Sequence, residues 1–206
     1  MKPDEIEKLS FQIIDKEAGA HGFPADKWQI VRRMIHTSAD YEYLESVRFS
    51  PGAIEAGIAA IRSGSPIYTD TNMAKSGIRK GEIEGFGGCV ECLIADPEVS
   101  AIAKTKQITR AKAAVDAVAD KMAGGIYVVG NAPTALLRIL TLMDEGKAAP
   151  ALVVGLPVGF VNAAESKEQL CQSSAPHISN VGRKGGSNLA ASVVNALIIM
   201  ACADEQ

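Results

Sequence analysis

Hydrophobic and polar positions alternate between two periods along the second half of the chain. Residues 126–129 and 151–154 are short runs rich in β-branched side chains, and residues 177–181 form a third, weaker run. Each run ends at a loop that contains glycine, after which apolar residues recur every three or four positions, as along residues 133–143. Three strand–loop–helix units in series predict a parallel sheet with helices packed on its faces.

The first half of the chain is less regular. In its first predicted helix, Ile6, Leu9 and Ile13 are spaced to share one face, and we expect that face to point into the core. No repeat or linker separates the two halves, so we expect a single domain over residues 1–206. The fold class predicted is α/β, a three-layer sandwich with a mostly parallel sheet and helices on both faces. The predicted helices of this half cover residues 3–18, 24–35, 51–61 and 109–122, and the predicted strands cover residues 66–69 and 90–95.

The composition argues against several classes of protein. Of the 206 residues, 47% are apolar and 22% charged, and a net charge of −3 argues against a nucleic-acid partner. We expect no signal peptide, because the N-terminus is charged, and no membrane partner, because the longest apolar run, residues 189–202, is too short for a bilayer. Four cysteines form no disulfide framework in a chain of this length, so we expect reduced thiols and a cytoplasmic protein.

No motif in the chain predicts a cofactor or a metal. None of the glycine loops has the spacing of a P-loop or of a dinucleotide-binding fingerprint. Cys89 and Cys92 have the spacing of a metal or redox pair, but no second pair accompanies them and they do not open a helix. We therefore expect both to be structural thiols.

The glycine loops predict a site for an anion. Ligands of parallel α/β sheets bind beyond the carboxyl ends of the strands, where all three loops would lie. Gly130 and Asn131 could offer backbone N–H groups at a helix start, while Arg183 and Lys184 add charge to the loop of residues 182–187. A solvated turn explains any single loop equally well. Three loops on one edge favour an anionic ligand.

Three further side chains are candidates for chemistry or binding. His36 follows an apolar segment and precedes a hydroxyl-rich one, and it can exchange a proton near neutral pH. The alternative is a histidine that only caps its helix. Arg110, in the first turn of a predicted helix, can grip a carboxylate, or it is an ordinary surface arginine. Ser10 lies mid-helix, where a hydroxyl usually faces solvent or bonds the backbone.

The motifs around these residues resemble the precorrin-8X or cobalt-precorrin-8 methylmutase family along nearly the whole chain. The strings at residues 155–167 and 182–187 are long and very specific. One departure is visible at Val181, where the family often has an arginine, so an anion contact made there by relatives is not expected here. The matching segments are residues 10–14 (SFQII), 34–40 (MIHTSAD), 49–51 (FSP), 130–136 (GNAPTAL), 155–167 (GLPVGFVNAAESK) and 182–187 (GRKGGS).

The resemblance implies a homodimeric α/β sandwich that binds a tetrapyrrole near the subunit interface. It implies that His36 is catalytic and that Ser10 and Arg110 belong to the substrate site. The implied reaction moves a methyl group from C-11 to C-12 of precorrin-8X or cobalt-precorrin-8, giving hydrogenobyrinate or cobyrinate. Because the methyl group already belongs to the substrate, no redox cofactor or methyl donor is implied.

Two other functions remain open at this point. A non-catalytic tetrapyrrole carrier could use the same pocket, and it would bind the corrin product without turning over a substrate. A nucleotide-binding oxidoreductase is disfavoured because the chain lacks a phosphate fingerprint and an acidic partner for the ribose.

Overall fold

The computed structural model describes residues 2–203. The helices and strands predicted in the second half are confirmed within a residue or two. The described residues also include a 3₁₀ turn at Ala119–Lys121. The helices are α1 (Pro3–Ala18), α2 (Ala25–Ser38), α3 (Tyr43–Ser46), α4 (Ala53–Arg62), α5 (Asn72–Gly77), α6 (Lys80–Gly85), α7 (Pro97–Lys106), α8 (Arg110–Val118), α9 (Pro133–Asp144), α10 (Ala163–Gln172) and α11 (Ser187–Ala203); the strands are β1 (Val47–Phe49), β2 (Ile67–Thr69), β3 (Val90–Glu91), β4 (Ile126–Val129), β5 (Leu152–Gly155) and β6 (His177–Asn180).

The six strands form one sheet in the order β1-β6-β5-β4-β2-β3. All neighbours run parallel except β1, which pairs antiparallel with β6 at one edge. The central strands are buried at every position, as expected when helices cover both faces of a parallel sheet. The predicted α/β class with a mostly parallel sheet is therefore confirmed.

The pleat of the sheet sends successive side chains into two different cores. Ile126 and Val128 of β4 join a cluster with apolar residues of α2, α4 and α11. Tyr127 and Val129 join a second cluster with apolar residues of α8, α9 and α10. These two clusters place helices in separate layers on either side of the sheet. We call them the α2 layer and the α8 layer.

The prediction that Ile6, Leu9 and Ile13 face the core is wrong. Their side chains are 54%, 45% and 47% exposed, and α1 rests on α2 through the neighbouring stripe that carries Ile14 and the half-buried Phe11. Two adjacent apolar stripes run along this helix, and periodicity alone does not tell which of them faces inward. An apolar strip of α1 is left uncovered by the rest of residues 2–203.

The edges of the sheet also differ from the prediction. The strand expected over residues 90–95 ends at Glu91, because Leu93 and Ile94 leave the sheet edge to pack against the α8 layer. Strand β1 and helix α7 carry too little period-specific pattern to have been predicted. No helix among residues 2–203 combines the length and apolar character that crossing a bilayer requires.

One buried carboxylate organises the carboxyl edge of the sheet. Asp70, 2% exposed, follows β2 and accepts N–H bonds from Gly130 at 2.9 Å, Asn131 at 2.8 Å and Ala132 at 2.7 Å. Burial raises the pKa of Asp70, and the three N–H donors oppose that rise. The bonds hold the turn that joins β4 to α9 against the end of β2.

Replacing Asp70 by alanine should lower the free energy of unfolding by about 3 kcal/mol or more, because three backbone N–H groups lose an ionic acceptor. Asp70→Asn should recover little, since its NH₂ group would face N–H donors. Urea unfolding measures both changes, with Asp120→Ala as a control at an exposed aspartate. Wild-type stability in Asp70→Ala would contradict this account of the edge.

Candidate functional site

The sequence-predicted residues are spread along the carboxyl edge of the sheet. The turn of residues 130–132 follows β4, the loop of residues 156–162 follows β5, and the loop of residues 181–186 follows β6. We call the last of these the Arg183 loop. The last turn of α2, which carries His36, reaches the same edge, because Asp40 just beyond it is bonded to Lys184.

His36 is paired with Ser10. Its Nδ1 lies 2.7 Å from the Ser10 hydroxyl, which comes from the neighbouring α1. The Phe11 ring and the imidazole meet edge to face, with the ring centres 5.2 Å apart. The histidine side chain is exposed, so its orientation depends on these two contacts. With Nδ1 occupied by Ser10, Nε2 is the nitrogen left to meet a ligand.

Two arginines of α2 hold Phe11 in place. The guanidinium groups of Arg32 and Arg33 lie 4.5 and 5.3 Å from the centre of its ring. Arg33 also lines a cavity of about 220 Å³, together with Thr37 and Asn188 among others. This cavity lies beside the turn that carries His36. The sequence reasoning missed Arg33 and Asn188 because neither belongs to a glycine loop.

Lys184 ties the Arg183 loop to the end of α2. Its ammonium lies 2.6 Å from a carboxylate oxygen of Asp40 and 2.8 Å from one of Glu42. The hydrogen bond from Lys184 lowers the pKa of Asp40, and the two carboxylates raise the pKa of Lys184. The predicted binding charge of Lys184 is therefore already paired with acids inside the chain. Its neighbour Arg183 has no ion pair within the described part of the chain.

Arg183 lies next to an exposed apolar surface. Its guanidinium is 5.5 Å from the centre of the Phe160 ring, and its carbonyl accepts the N–H of Gly159. Phe160 and Val161 are 84% and 76% exposed, which is unusual for large apolar side chains in a loop. We call Val158, Phe160 and Val161 the Phe160 patch. A cation beside an uncovered aromatic ring suits a ligand that is flat, apolar on its faces and anionic at its rim.

The turn of residues 130–132 differs from its prediction. The backbone N–H groups of Gly130 and Asn131, expected to face an anionic ligand, instead donate to Asp70. Gly130 is buried, and a Cβ atom there would lie 2.5 Å from the Cα of Ser187, so the turn packs directly on the start of α11. The hydroxyl of Thr71 bonds that of Ser187 at 2.8 Å, which joins the two segments again. The Asn131 side chain remains exposed.

Arg110 lies in the α8 layer, on the other side of the sheet from His36. It starts α8 after the capping Thr109, whose hydroxyl bonds that of Thr134 at 3.0 Å. That contact places Arg110 beside the turn of residues 130–132 and at the same edge. With Lys104 and other residues of α7 it lines a depression of about 400 Å³. The structure does not bring Arg110 into contact with His36 of the same chain.

Metal-ligating side chains do not gather anywhere in the described range. Residues 2–203 contain no group of three or more histidine, cysteine, aspartate or glutamate side chains that could hold an ion. Cys89 is exposed, Cys92 is half-buried, and both are free thiols. Burial raises the pKa of Cys89, which makes it a poorer thiolate than an ordinary surface cysteine.

The chain is similar to known proteins over almost its whole length. The sequence profile described as precorrin-8X methylmutase matches residues 5–200. A cobalt-precorrin-8 methylmutase of Salmonella typhimurium is 50% identical, covering 96% of this chain and 95% of that protein. One of Priestia megaterium is 46% identical, covering 98% and 89%.

Its fold is similar to that of a solved structure from the same family. The precorrin-8x methyl mutase from Thermus thermophilus superposes with a TM-score of 0.90 at 46% identity, covering 98% of this chain and 97% of that one. The profile and these relatives confirm the resemblance found in the sequence motifs. The chain therefore belongs to the precorrin-8X methylmutase family, isomerases that shift a methyl group in the biosynthesis of corrins.

Proposed function

We propose that the chain moves a methyl group from C-11 to C-12 of a tetrapyrrole bound at the carboxyl edge of its sheet, with His36 as the catalytic residue. Family membership supports the reaction. The observation that carries the proposal for the site is the 2.7 Å contact between Ser10 and His36, which orients an exposed imidazole at that edge. We further propose that the enzyme is cytoplasmic.

His36 would act through Nε2. The migration is a suprafacial [1,5] shift within one molecule, so the protein supplies no electrons and no methyl group. It needs to polarise the conjugated system, and a proton shared with the ring nitrogen next to the migration site would do so. Such positioned proton transfer contributes about 10²- to 10⁴-fold to a rate. Ser10 would be a positioning residue, since its hydroxyl holds Nδ1.

The rim and the faces of the substrate would meet different groups. The acetate and propionate arms are anions, for which Arg183 offers a guanidinium that has no ion pair among residues 2–203, and Asn131 an exposed amide. The Phe160 patch offers an apolar surface beside that guanidinium. Lys184 would contribute by fixing its loop to Asp40 rather than by a direct contact. Binding energy spread around the rim would hold the macrocycle in one orientation for the shift.

The position of Arg110 supports a site shared between two copies of the chain. The resemblance implies that Arg110 and His36 both serve the substrate, yet they lie in opposite layers of one chain. A homodimer could place Arg110 of one copy beside His36 of the other. The uncovered apolar strip of α1, which carries Ile6, Leu9 and Ile13, is a surface that a second copy could bury.

Both forms of the substrate are compatible with these groups. The cobalt of cobalt-precorrin-8 would be part of the substrate, and the described residues offer no cluster of ligands aimed at it. Turnover of metal-free precorrin-8X and of cobalt-precorrin-8, compared at equal concentration, decides which form is used.

Replacing His36 by alanine should reduce methyl migration by at least about a hundredfold, because the proton donor is lost. Binding of hydrogenobyrinate should change little, because Arg183 and the Phe160 patch remain. His36→Asn should not rescue, since an amide cannot titrate near neutral pH.

His21→Ala is the matched control for this test. His21 stacks on Trp28, with the ring centres 3.8 Å apart, so its removal should lower the melting temperature without reducing turnover of the folded protein. If His36→Ala behaves like His21→Ala, His36 only stabilises its helix. If the wild-type protein binds hydrogenobyrinate but never converts precorrin-8X or its cobalt form, the chain is a carrier.

Replacing Arg110 by alanine should weaken substrate binding about ten- to a hundredfold, the usual loss for one charge-assisted contact to a carboxylate. Arg183→Ala should act in the same direction but more weakly, if other donors share the same arm. Arg79→Ala, which removes an exposed arginine paired with Glu82, serves as the control. Calorimetric titration with hydrogenobyrinate measures all three. Unchanged affinity in Arg110→Ala would remove that residue from the site.

Mixing two variants, each nearly inactive at a substrate concentration far below the KM of Arg110→Ala, tests whether the site is shared. An equal mixture of His36→Ala and Arg110→Ala, allowed to exchange subunits, should regain about a quarter of wild-type activity, because half of the dimers are mixed and each has one intact site. Dilution below the dissociation constant of the dimer should lower specific activity. No recovery in a mixture that forms mixed dimers, or a fully active monomer in sedimentation, would contradict the shared site.

A further inference from the structure

Lys167 is a lysine whose charged group lies wholly inside the protein. It is 0% exposed, and it belongs to α10 on the far side of the Arg183 loop from solvent. Its ammonium donates to the side-chain oxygen of Asn180 at 3.1 Å and to the backbone carbonyl of Lys184 at 2.6 Å. None of the ion pairs among residues 2–203 includes Lys167.

Stability alone does not account for a lysine at this position. Burial lowers the pKa of Lys167 to about 8, so the charged form is less favoured in the folded chain than in the unfolded one. Below pH 8 the group is charged in both states, and its burial opposes folding. That opposition fades as the pH rises from about 8 toward the unfolded value. A methionine of similar length would avoid that cost, and the two hydrogen bonds are what the lysine adds in its place.

One of those hydrogen bonds reaches the backbone of the Arg183 loop directly, and the other connects to it through the side chain of Asn180. The carbonyl of Lys184 also accepts a bond from the Asn180 amide, whose NH₂ group bonds the carbonyl of Val181 as well. On the other side, the N–H of Gly186 bonds the carbonyl of Leu156. The loop is thereby pinned from below at its start and its end, while the side chain of Arg183 points outward and is exposed.

We propose that Lys167 is a positioning residue that holds the Arg183 loop in the conformation in which it binds the carboxylate arms of the substrate. The proposal rests on the proposed function, because it takes the substrate to lie at this edge. The ammonium orients the carbonyl of Lys184 inward, which leaves the guanidinium of Arg183 on the outer side. Its charge also adds positive potential beneath the loop, where bulk water does not screen it.

Two variants of Lys167 test the proposal. Lys167→Met removes the charge and the donors but keeps the length of the side chain, and the carbonyl of Lys184 still has the amide of Asn180 as a donor. Lys167→Gln keeps one donor without the charge, and it serves if the methionine variant does not fold. Lys121→Met is the matched control, an exposed lysine in the turn before β4, at the opposite edge of the sheet.

We expect Lys167→Met to stay folded, with backbone hydrogen exchange over residues 181–186 accelerated about ten- to a hundredfold and exchange in β4 unchanged. The KM for the substrate should rise, by no more than in Arg183→Ala, while kcat changes much less, because His36 is not disturbed. Lys121→Met should match the wild-type protein in every measurement. A purely structural role would instead lower the melting temperature and leave exchange in the loop and KM unchanged in the folded protein.

Two results overturn the proposal. The first is unchanged hydrogen exchange over residues 181–186 in a folded Lys167→Met protein. The second is faster exchange in that loop with an unchanged KM in Lys167→Met, while Arg183→Ala raises KM. If Arg183→Ala itself binds the substrate normally, the substrate does not lie at this loop and the proposed function fails there. The exchange data then decide alone whether Lys167 anchors the loop.

Discussion

Backbone N–H groups beyond the end of a strand need a hydrogen-bond acceptor. The acceptor that they find determines how the carboxyl edge of this sheet is arranged. Asp70 meets that need for the turn after β4. Because the acceptor directly follows β2, the turn cannot move without the neighbouring strand. Thr71 then joins the same strand end to the start of α11. The edge is therefore one connected polar unit.

A second set of buried polar groups lies below the Arg183 loop and has the same effect. Lys167 and Asn180 hold the loop after β6 from within, as Asp70 holds the turn after β4. Each places a charge inside the protein, which is costly unless hydrogen bonds surround it. In both cases the partners are neutral groups, backbone amides for Asp70 and a backbone carbonyl with the Asn180 side chain for Lys167, rather than an opposite charge. The interior thus determines the shape of the loops, and their exposed side chains stay available for a ligand.

The periodic parts of the fold could be predicted from the sequence, and the long-range contacts could not. Strands β4, β5 and β6 and the helices that follow them carry a pattern that only one arrangement satisfies. The two-residue β3 and the antiparallel β1 carry almost none, because an edge strand is defined by its neighbour rather than by its own burial. The inward face of α1 could not be predicted for a related reason. An apolar stripe shows that a helix is amphipathic, but it does not show whether that stripe packs on the core of the same chain.

The candidate site was predictable to the same extent: its motifs could be found in the sequence, and its long-range contacts could not. His36, Ser10 and the glycine loops were found from motifs, and the structure brings His36 and Ser10 together. That Asp70 occupies the amides of Gly130 and Asn131 could not be predicted, because the acceptor lies sixty residues away in the chain. The sequence does contain one signal for Asp70, because it lies at the end of a predicted strand, where polar residues of a ligand site are expected. Lys167 lay inside a recognised motif, but its burial is visible only in three dimensions.

Helix α1 makes the imidazole of His36 sensitive to ionic strength. The helix carries Ser10, and besides the apolar contact of Ile14 and Phe11 with α2 it is attached to α2 and the segment after it by three partly exposed contacts that involve charged side chains. A few hundred millimolar salt screens such contacts. Salt would therefore loosen the hydroxyl that holds Nδ1 without touching the sheet, and the enzyme would lose alignment at its histidine before it lost its fold. The three contacts are Asp15 with Arg32, Glu7 with Arg33, and Glu17 with Tyr41.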